Sequence, residues 1–287
     1  MKKKIKIPLK LVISGLLFSK VERVWPWLAH RWFVRIFFST ARFELPTGEK
    51  ECMDLADKST FNFEGKKIQV YTWGVGKPVL LVHGWMVRAT QFQKFIPAFN
   101  AAGYQVVSFD STGHGLSDGN KSHLMEFAGI IKMLSDHIGS FEMVVGHSLG
   151  GVASLHAVKN YGVTSRLVML ASPVISQEIV DEFRKKIGAS KGCEGYFNQY
   201  IEKKFGHPFE HYSGSYIISD VKNIDLFLVY DENDKEVSMK NPAVMKERYP
   251  EAKVLVTEGL GHNRILKDEG VIESTLKFLD KTEAISV

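Results

Sequence analysis

Short apolar runs alternate with helical stretches along most of this 287-residue sequence. Runs rich in Val, Leu and Ile that are separated by helices predict a mostly parallel, doubly wound sheet with helices on both faces, because parallel neighbours need crossover connections. Such α/β sheets bind ligands at the carboxyl ends of their strands. The predicted strands are residues 67–73, 79–83, 105–110, 142–146, 167–171, 226–230 and 253–257.

Helical stretches are predicted at residues 90–102, 123–138, 149–161, 242–249 and 269–279. The segment 172–223 interrupts the alternation, since it is helical in tendency and holds more aromatic side chains than a connecting loop requires. We therefore predict that it forms a small helical lid over the site at the strand ends. Its aromatic residues are Phe183, Tyr196, Phe197, Tyr200, Phe205, Phe209, Tyr212 and Tyr216.

The positive charge of the chain is concentrated at its N-terminal end. Residues 1–42 contain ten Lys or Arg and a single acid, Glu22, for a net charge of +9, so the rest of a chain of net charge +5 carries −4. A mildly acidic body offers no basic stripe for a phosphate backbone, which argues against nucleic acid as a partner. A basic segment beside apolar residues suits an anionic membrane surface instead.

Apolar residues recur at helical spacing within residues 1–42, with basic residues between them, which predicts one or two basic amphipathic helices. Two placements stay open, because amphipathicity alone does not separate them. The segment lies on the cytoplasmic membrane face, with Trp25, Trp27 and Trp32 as interfacial anchors, or it packs as an arm across the body. A signal peptide is disfavoured, because no small-x-small cleavage site precedes Lys20.

The cysteines indicate the compartment. Cys52 and Cys193 lie far apart and form neither a zinc motif nor a disulfide framework, so a reducing compartment is expected. No stretch reaches the eighteen or so uncharged residues of a spanning helix. We expect a cytoplasmic protein, attached peripherally to the cytoplasmic membrane under the first placement of residues 1–42.

A G-x-S-x-G pattern lies directly between a predicted strand and a predicted helix. Glycines on both sides of a serine allow a sharp strand-to-helix turn, in which the serine backbone is strained and its hydroxyl is exposed. The alternative is an ordinary helix-capping serine, which needs no flanking glycines. The residues of this nucleophile elbow are Gly146, His147, Ser148, Leu149 and Gly150.

A serine hydroxyl needs a base to take its proton, and the base needs a carboxylate to orient it. Downstream of the strand 226–230 an acidic run offers Asp231 and Asp234, and beyond the last strand Gly261 precedes His262. The order Ser, acid, His, with each member just past a strand end, indicates acyl-transfer chemistry.

Four motifs together resemble the α/β-hydrolase superfamily, over roughly residue 65 to the C-terminus. They are the elbow, Gly261-His262, the sequence His83-Gly84-Trp85 after a strand, and the turn at residues 110–117. The resemblance implies a domain over residues 60–287, with the lid as an insertion at about 172–223.

The resemblance also implies site roles. The oxyanion hole would be the backbone N–H groups of Trp85 and Leu149. The superfamily places the acid three residues before a hydrophobic residue, which favours Asp234, before Val237, over Asp231. Asp231 would then cap the following turn. We interpret His83, His114 and His147 as structural.

The resulting hypothesis is a cofactor-free, metal-free serine hydrolase. Ser148, His262 and Asp234 would cleave small-molecule carboxylic esters, with thioesters as an extension, through an acyl-enzyme. The aromatic lid favours medium or long acyl groups. An acyltransferase or thioesterase using the same triad, and a non-catalytic binding protein of the same fold, are the alternatives, and the oligomeric state is left open.

Overall fold

The computed structural model describes the backbone of residues 9–280 and the side chains of residues 17–280. Its strands are β1 (Asp57–Phe63), β2 (Lys66–Trp73), β3 (Lys77–Val82), β4 (Tyr104–Phe109), β5 (Met143–His147), β6 (Arg166–Leu170), β7 (Asp225–Asp231) and β8 (Lys253–Thr257).

Helices connect and flank these strands. They are α1 (Leu9–Val24), α2 (Pro26–Phe37), α3 (Thr47–Asp54), α4 (Phe95–Ala101), α5 (Leu124–Ile138), α6 (Leu149–Tyr161), α7 (Ser176–Ile187), α8 (Lys191–Phe205), α9 (Gly214–Ile217), α10 (Lys240–Arg248), α11 (Gly261–Arg264) and α12 (Glu269–Asp280). Short 3-10 helices occur at Ala89–Phe92, Phe209–Tyr212, Ile218–Asp220 and Ile265–Lys267.

The strands form one sheet of order β1-β2-β4-β3-β5-β6-β7-β8. β3 to β8 pair in parallel, whereas β2 is antiparallel to both β1 and β4. The predicted mostly parallel sheet is confirmed, and each predicted strand lies within two residues of an observed one. β5 is a central strand of the sheet. Ser148 follows its carboxyl end, which is where sheets of this kind bind ligands.

The sequence pattern missed β1. This edge strand pairs only with β2, and its residues are mostly exposed, so it has no continuous apolar run to signal a strand. It begins at Asp57, three residues before the predicted domain boundary at residue 60. α3, which precedes it, buries Cys52 and Met53 against the same core as the sheet.

Alternate residues of each central strand point to opposite faces, and each face has its own core. In β3, Leu80 and Val82 contribute to the core covered by α5 and α6. Val79 and Leu81 contribute to the core covered by α4 and α12. Burial on both faces explains why the central strands read as continuous apolar runs.

One predicted helix differs from the structure. The stretch 90–102 divides into the 3-10 turn Ala89–Phe92 and α4. Pro97 accounts for the break, because proline is tolerated in the first turn of a helix but not in its interior, so α4 begins only two residues before it.

The segment 172–223, called the insertion below, follows β6 and contains α7, α8 and α9. α1 and α2, called the arm, pack on α7 and α8 of the insertion. Phe18, Phe33 and Phe197 are fully buried in this contact, which forms a third hydrophobic core separate from the two at the sheet. No helix in residues 9–280 is long and apolar enough to cross a membrane.

The chain after the arm is held on the body. Thr40 donates through its backbone N–H to Asn120 O at 3.1 Å, and Ser39 forms an isolated bridge with Lys121. The Arg42 guanidinium donates to the carbonyl oxygens of Gly115, at 2.9 Å, and Ser117, at 2.6 Å. The arm is therefore fixed at its C-terminal end to the loop that follows β4.

Candidate active site

Ser148 lies between β5 and α6 with φ 52° and ψ −124°. A positive φ at a non-glycine residue is a strained backbone conformation. A hydrogen bond from Ser148 N to Leu170 O, at 2.9 Å, holds the serine in this conformation. Its side chain makes no capping hydrogen bond to α6. The hydroxyl is therefore not used as a helix cap, which was the alternative interpretation of this serine.

The glycines of the elbow are needed because three backbones meet there. A Cβ on Gly146 would lie 2.5 Å from the Gly150 backbone, and one on Gly150 would lie 2.3 Å from Val82 O. A Cβ on Gly84, in the loop after β3, would lie 3.1 Å from Ser148 Cβ. These contacts bring the loop that contains Trp85 directly against the serine.

We expect Gly150→Ala to lower the free energy of unfolding by about 3 kcal/mol, because its methyl group would collide with rigid backbone. Gly195→Ala in α8 is the matched control, since a Cβ there meets nothing within 4 Å. Alanine should stabilise that helix position by up to about 1 kcal/mol. Urea unfolding measures both changes, and equal effects of the two substitutions would contradict the packing argument.

His262 and Asp234 meet across two loops at the carboxyl edge of the sheet. His262 Nδ1 lies 2.8 Å from Asp234 Oδ2, with the histidine side chain 10% exposed and the aspartate side chain 1% exposed. Because a carboxylate only accepts, the Nδ1–H must donate, which leaves Nε2 as the acceptor. This is the tautomer that a general base needs.

Backbone groups hold Asp234 in place. Its Oδ1 accepts from Glu236 N at 2.7 Å and from Val237 N at 3.1 Å. Burial acts to raise the pKa of the Asp234 carboxyl, but the hydrogen bond and charge of His262 and these two N–H groups outweigh it and keep that pKa below its ordinary value. The carboxylate is therefore ionised at neutral pH.

Asp231, the alternative acid, does not contact His262 but holds the loop before it. Its buried carboxylate accepts from Thr257 Oγ1 at 2.8 Å, Leu260 N at 2.9 Å and Gly261 N at 2.8 Å. It also accepts from Asn233 N at 3.0 Å, the turn contact expected of it. The link to the loop of His262 was not predicted, because nothing in the local sequence signals a contact across two strands.

His147 connects the elbow to the same loop. Its Nε2 lies 2.9 Å from His262 O and must donate, since a carbonyl oxygen only accepts, and the two rings lie 4.8 Å apart. Burial, followed by the nearby His262 ring, lowers the pKa of His147 to about 3. A neutral ring one residue from Ser148 thus fixes the backbone of His262 beside the elbow.

The loop after β3 lies against the elbow and is held by the His83 ring. Ser111 N donates to His83 Nε2 at 2.9 Å, so His83 Nδ1–H donates to Gly84 O at 2.6 Å. Burial lowers the pKa of His83 to about 4, and the ring stays neutral. Within residues 9–280 the N–H groups of Trp85 and Leu149 donate to no group outside the regular helices and strands, so both are available to donate to an oxyanion.

A separate polar cluster joins the arm to the insertion. Glu22, His30 and Cys193 hold possible metal-ligand atoms within 4.8 Å of one another. The carboxylate of Glu22 already accepts from Ser190 N at 2.9 Å and from the Cys193 thiol at 3.1 Å. In this arrangement the cluster acts as a hydrogen-bonded link between the arm and the insertion.

Comparisons with known proteins agree with the fold. The family model described as serine aminopeptidase, S33, matches residues 75–199. A non-heme haloperoxidase from Rhodococcus erythropolis is 28% identical over 141 residues, which are 43% of this chain and 52% of that protein. A pyrethroid hydrolase from Sphingobium wenxiniae is 29% identical over 108 residues, which are 35% of this chain and 39% of that protein.

Both matches thus span about half or less of the length of the relatives. Among solved structures, an esterase from Pyrococcus furiosus is similar with a TM-score of 0.63 at 18% identity, covering 85% of this chain and 97% of that one. At this identity the likeness concerns the fold. Together with the mostly parallel sheet and the elbow after β5, these matches show that the chain has the α/β-hydrolase fold.

Proposed function

We propose that this protein is a serine hydrolase that cleaves carboxylic esters, with Ser148 as nucleophile, His262 as general base and Asp234 as the orienting acid. The observation that carries the proposal is the 2.8 Å hydrogen bond between His262 Nδ1 and Asp234 Oδ2. It leaves His262 Nε2 as the acceptor of the ring, while His147, the neighbour of Ser148, holds the backbone of His262 and the Ser148 hydroxyl does not cap its helix.

The proposed reaction has two halves. His262 Nε2 takes the proton of Ser148 as Oγ attacks the ester carbonyl carbon, and the oxyanion accepts hydrogen bonds from Trp85 N and Leu149 N. Each donor stabilises the transition state by about 3 to 4 kcal/mol. His262 then protonates the leaving alcohol, and a water molecule, deprotonated by the same nitrogen, hydrolyses the acyl-enzyme.

Ester cleavage is supported by the name of one similar solved structure, an esterase, and hydrolysis in general by the name of a pyrethroid hydrolase. The family model is described by an aminopeptidase, which would cleave an amide with the same groups. Most aromatic side chains of the insertion pack against the arm. The partly buried apolar side chains near the elbow, Trp85, Leu149 and Ile175, favour an apolar acyl group over a peptide amine, so we propose medium or long acyl esters. Acyl transfer and thioester hydrolysis would use the same triad and differ only in the acceptor or leaving group.

The proposal is tested with p-nitrophenyl esters from acetate to laurate, beside p-nitroanilides and acyl thioesters of the same chain lengths. We expect kcat/KM for the esters to rise with chain length and to exceed that for matched anilides by at least about 100-fold, a difference of about 2.7 kcal/mol in activation free energy. Free acid as the product identifies a hydrolase. Anilide turnover equal to ester turnover would favour a peptidase instead.

A further inference from the structure

The junction of α1 and α2 is exposed although it is rich in large apolar side chains. Every residue from 23 to 28, called the corner below, is exposed, and Trp25 and Trp27 are 55% and 63% exposed. Val24 and Leu28 lie beside them and are also exposed. Contiguous apolar groups at a convex corner are unfavourable in water and indicate a binding surface.

The apolar residues of the arm divide into two sets with different roles. Phe33 makes edge contacts with Phe183 and Phe197, at ring-centroid distances of 5.1 and 5.8 Å, and Trp32 stacks on Phe18 at 5.4 Å. This inward set already provides the contact with the insertion. Packing within the described residues thus accounts for Trp32 but leaves the apolar side chains of the corner largely exposed.

The basic and acidic side chains of the arm lie on different sides of it. Lys20, Arg23, Arg31 and Arg35 are all exposed on the arm. Glu22, the only acid in residues 1–42, is turned toward the insertion, where Ser190 and Cys193 donate to it. Among residues 17–37 of the arm, every exposed charged side chain is therefore cationic, which is complementary to an anionic bilayer surface.

We infer that the corner docks on anionic phospholipid bilayers. Trp25 and Trp27 enter the headgroup region, where tryptophan is favoured, and the basic side chains bind lipid phosphates. The arm fulfils both functions at once, since its inward side packs on the insertion while its outward side meets lipid. A second protein would be expected to supply acids opposite these cations and is an outcome that the test separates.

Docking has a consequence for the proposed active site, and this step rests on the proposed function. The insertion follows β6, which is the neighbour of the elbow strand β5, and the arm shares a hydrophobic core with it. Attachment of the arm thus holds the insertion, and the site beside it, close to the bilayer. Acyl esters carried in the membrane become the substrate class within reach.

The test is flotation of the full chain with vesicles of phosphatidylcholine alone or mixed with phosphatidylglycerol. Trp25→Ser combined with Trp27→Ser should weaken partitioning to the mixed vesicles at least about tenfold. Leu55→Ser combined with Val75→Ser is the matched control, because these apolar side chains are 81% and 83% exposed outside the arm. The control pair should partition like the wild type.

Charge is tested separately with Lys20→Gln, Arg23→Gln and Arg31→Gln. Each substitution should weaken binding to the mixed vesicles by about fivefold, with little effect on phosphatidylcholine alone. Binding by the wild type should fall as salt is raised. Circular dichroism and turnover of acetate esters confirm that the variants keep their fold.

Three results would overturn the inference: no flotation of the wild type with mixed vesicles, equal flotation of the Trp25/Trp27 pair variant, or a wild-type dimer in solution that this variant abolishes. The last would assign the corner to a second copy of the chain. Flotation does not depend on turnover, so failure of docking with ester hydrolysis intact removes only this inference. Flotation without ester hydrolysis removes only the proposed function.

Discussion

Replacing Ser148 by alanine should lower kcat for p-nitrophenyl esters by about 10⁵-fold, because the remaining groups can polarise the carbonyl but offer no nucleophile. Residual turnover above that in water would come from binding and the oxyanion donors. The free energy of unfolding should change little, since the hydroxyl caps no helix. Stopped-flow and steady-state assays at matched protein concentration measure the loss.

Ser154→Ala is the matched control for this substitution. Ser154 is a buried serine of α6, the helix that follows Ser148, and its hydroxyl donates to Gly150 O at 2.7 Å. Removing it should cost about 1 kcal/mol of stability and leave kcat within a few-fold of the wild type. Ester turnover that survives Ser148→Ala, or is lost equally in Ser154→Ala, would contradict the role proposed for Ser148.

Replacing Asp234 by asparagine should mainly lower kcat, whereas replacing Asp231 by asparagine should mainly lower stability. Asp234→Asn should lower kcat by about 10⁴-fold with a stability loss of about 1 kcal/mol. The asparagine amide can donate to His262 Nδ1, which would favour the tautomer whose Nε2 carries a proton and accepts none. Rescue of kcat by Asp234→Glu, even partial, would support an orienting carboxylate.

Asp231→Asn should instead destabilise the fold by about 2 kcal/mol, because the part-buried N–H groups of Leu260 and Gly261 lose a charged acceptor. Its kcat should fall far less than that of Asp234→Asn. Reversed effects in the two variants would exchange the two assignments. Thermal unfolding and ester turnover, measured on the same preparations, separate them.

The stability effect at Asp231 should depend on pH with a defined sign. Burial acts to raise the pKa of this carboxyl, but hydrogen bonds from Gly261, Leu260 and Thr257 bring it below its ordinary value. A depressed pKa in the folded state stabilises the protein above the ordinary aspartate pKa, and this stabilisation is lost as pH falls through the folded value. The stability gap between the wild type and Asp231→Asn should therefore be widest near neutral pH and close in acid.

The fold was largely predictable because its central strands are buried on both faces. Strands such as β3 and β5 are continuous apolar runs, and the elbow after β5 has a glycine pattern with a steric reason. The antiparallel edge strand β1 has neither signal, since five of its seven residues are exposed and none is buried. Local sequence therefore predicts buried strands well and exposed edge strands poorly.

Contacts between distant parts of the chain were the least predictable. The helical character of the arm and of the insertion followed from periodicity, but the Phe33 to Phe197 contact that joins them spans more than half of the chain. The same applies to His147, whose ring donates to His262 O across 115 positions. Periodicity shows that a face is apolar and does not identify what covers it.

The choice between Asp231 and Asp234 is an instructive case within the site. Spacing relative to Val237 favoured Asp234, and the structure has Asp234 in contact with His262 while Asp231 holds the loop before it. Both carboxylates are buried at the end of β7, so burial and charge alone would not have separated them. The hydrogen-bond partners distinguish them, and these depend on three-dimensional placement.

The most direct test of the central claim is reaction of the full chain with an alkyl fluorophosphonate, followed by intact-mass measurement and peptide mapping. The account predicts a single adduct on Ser148, formed in parallel with loss of ester turnover, absent in Ser148→Ala and slowed in Asp234→Asn. An adduct on another residue with full loss of turnover, or full inhibition with Ser148 unmodified, would contradict the assignment of Ser148 as the nucleophile.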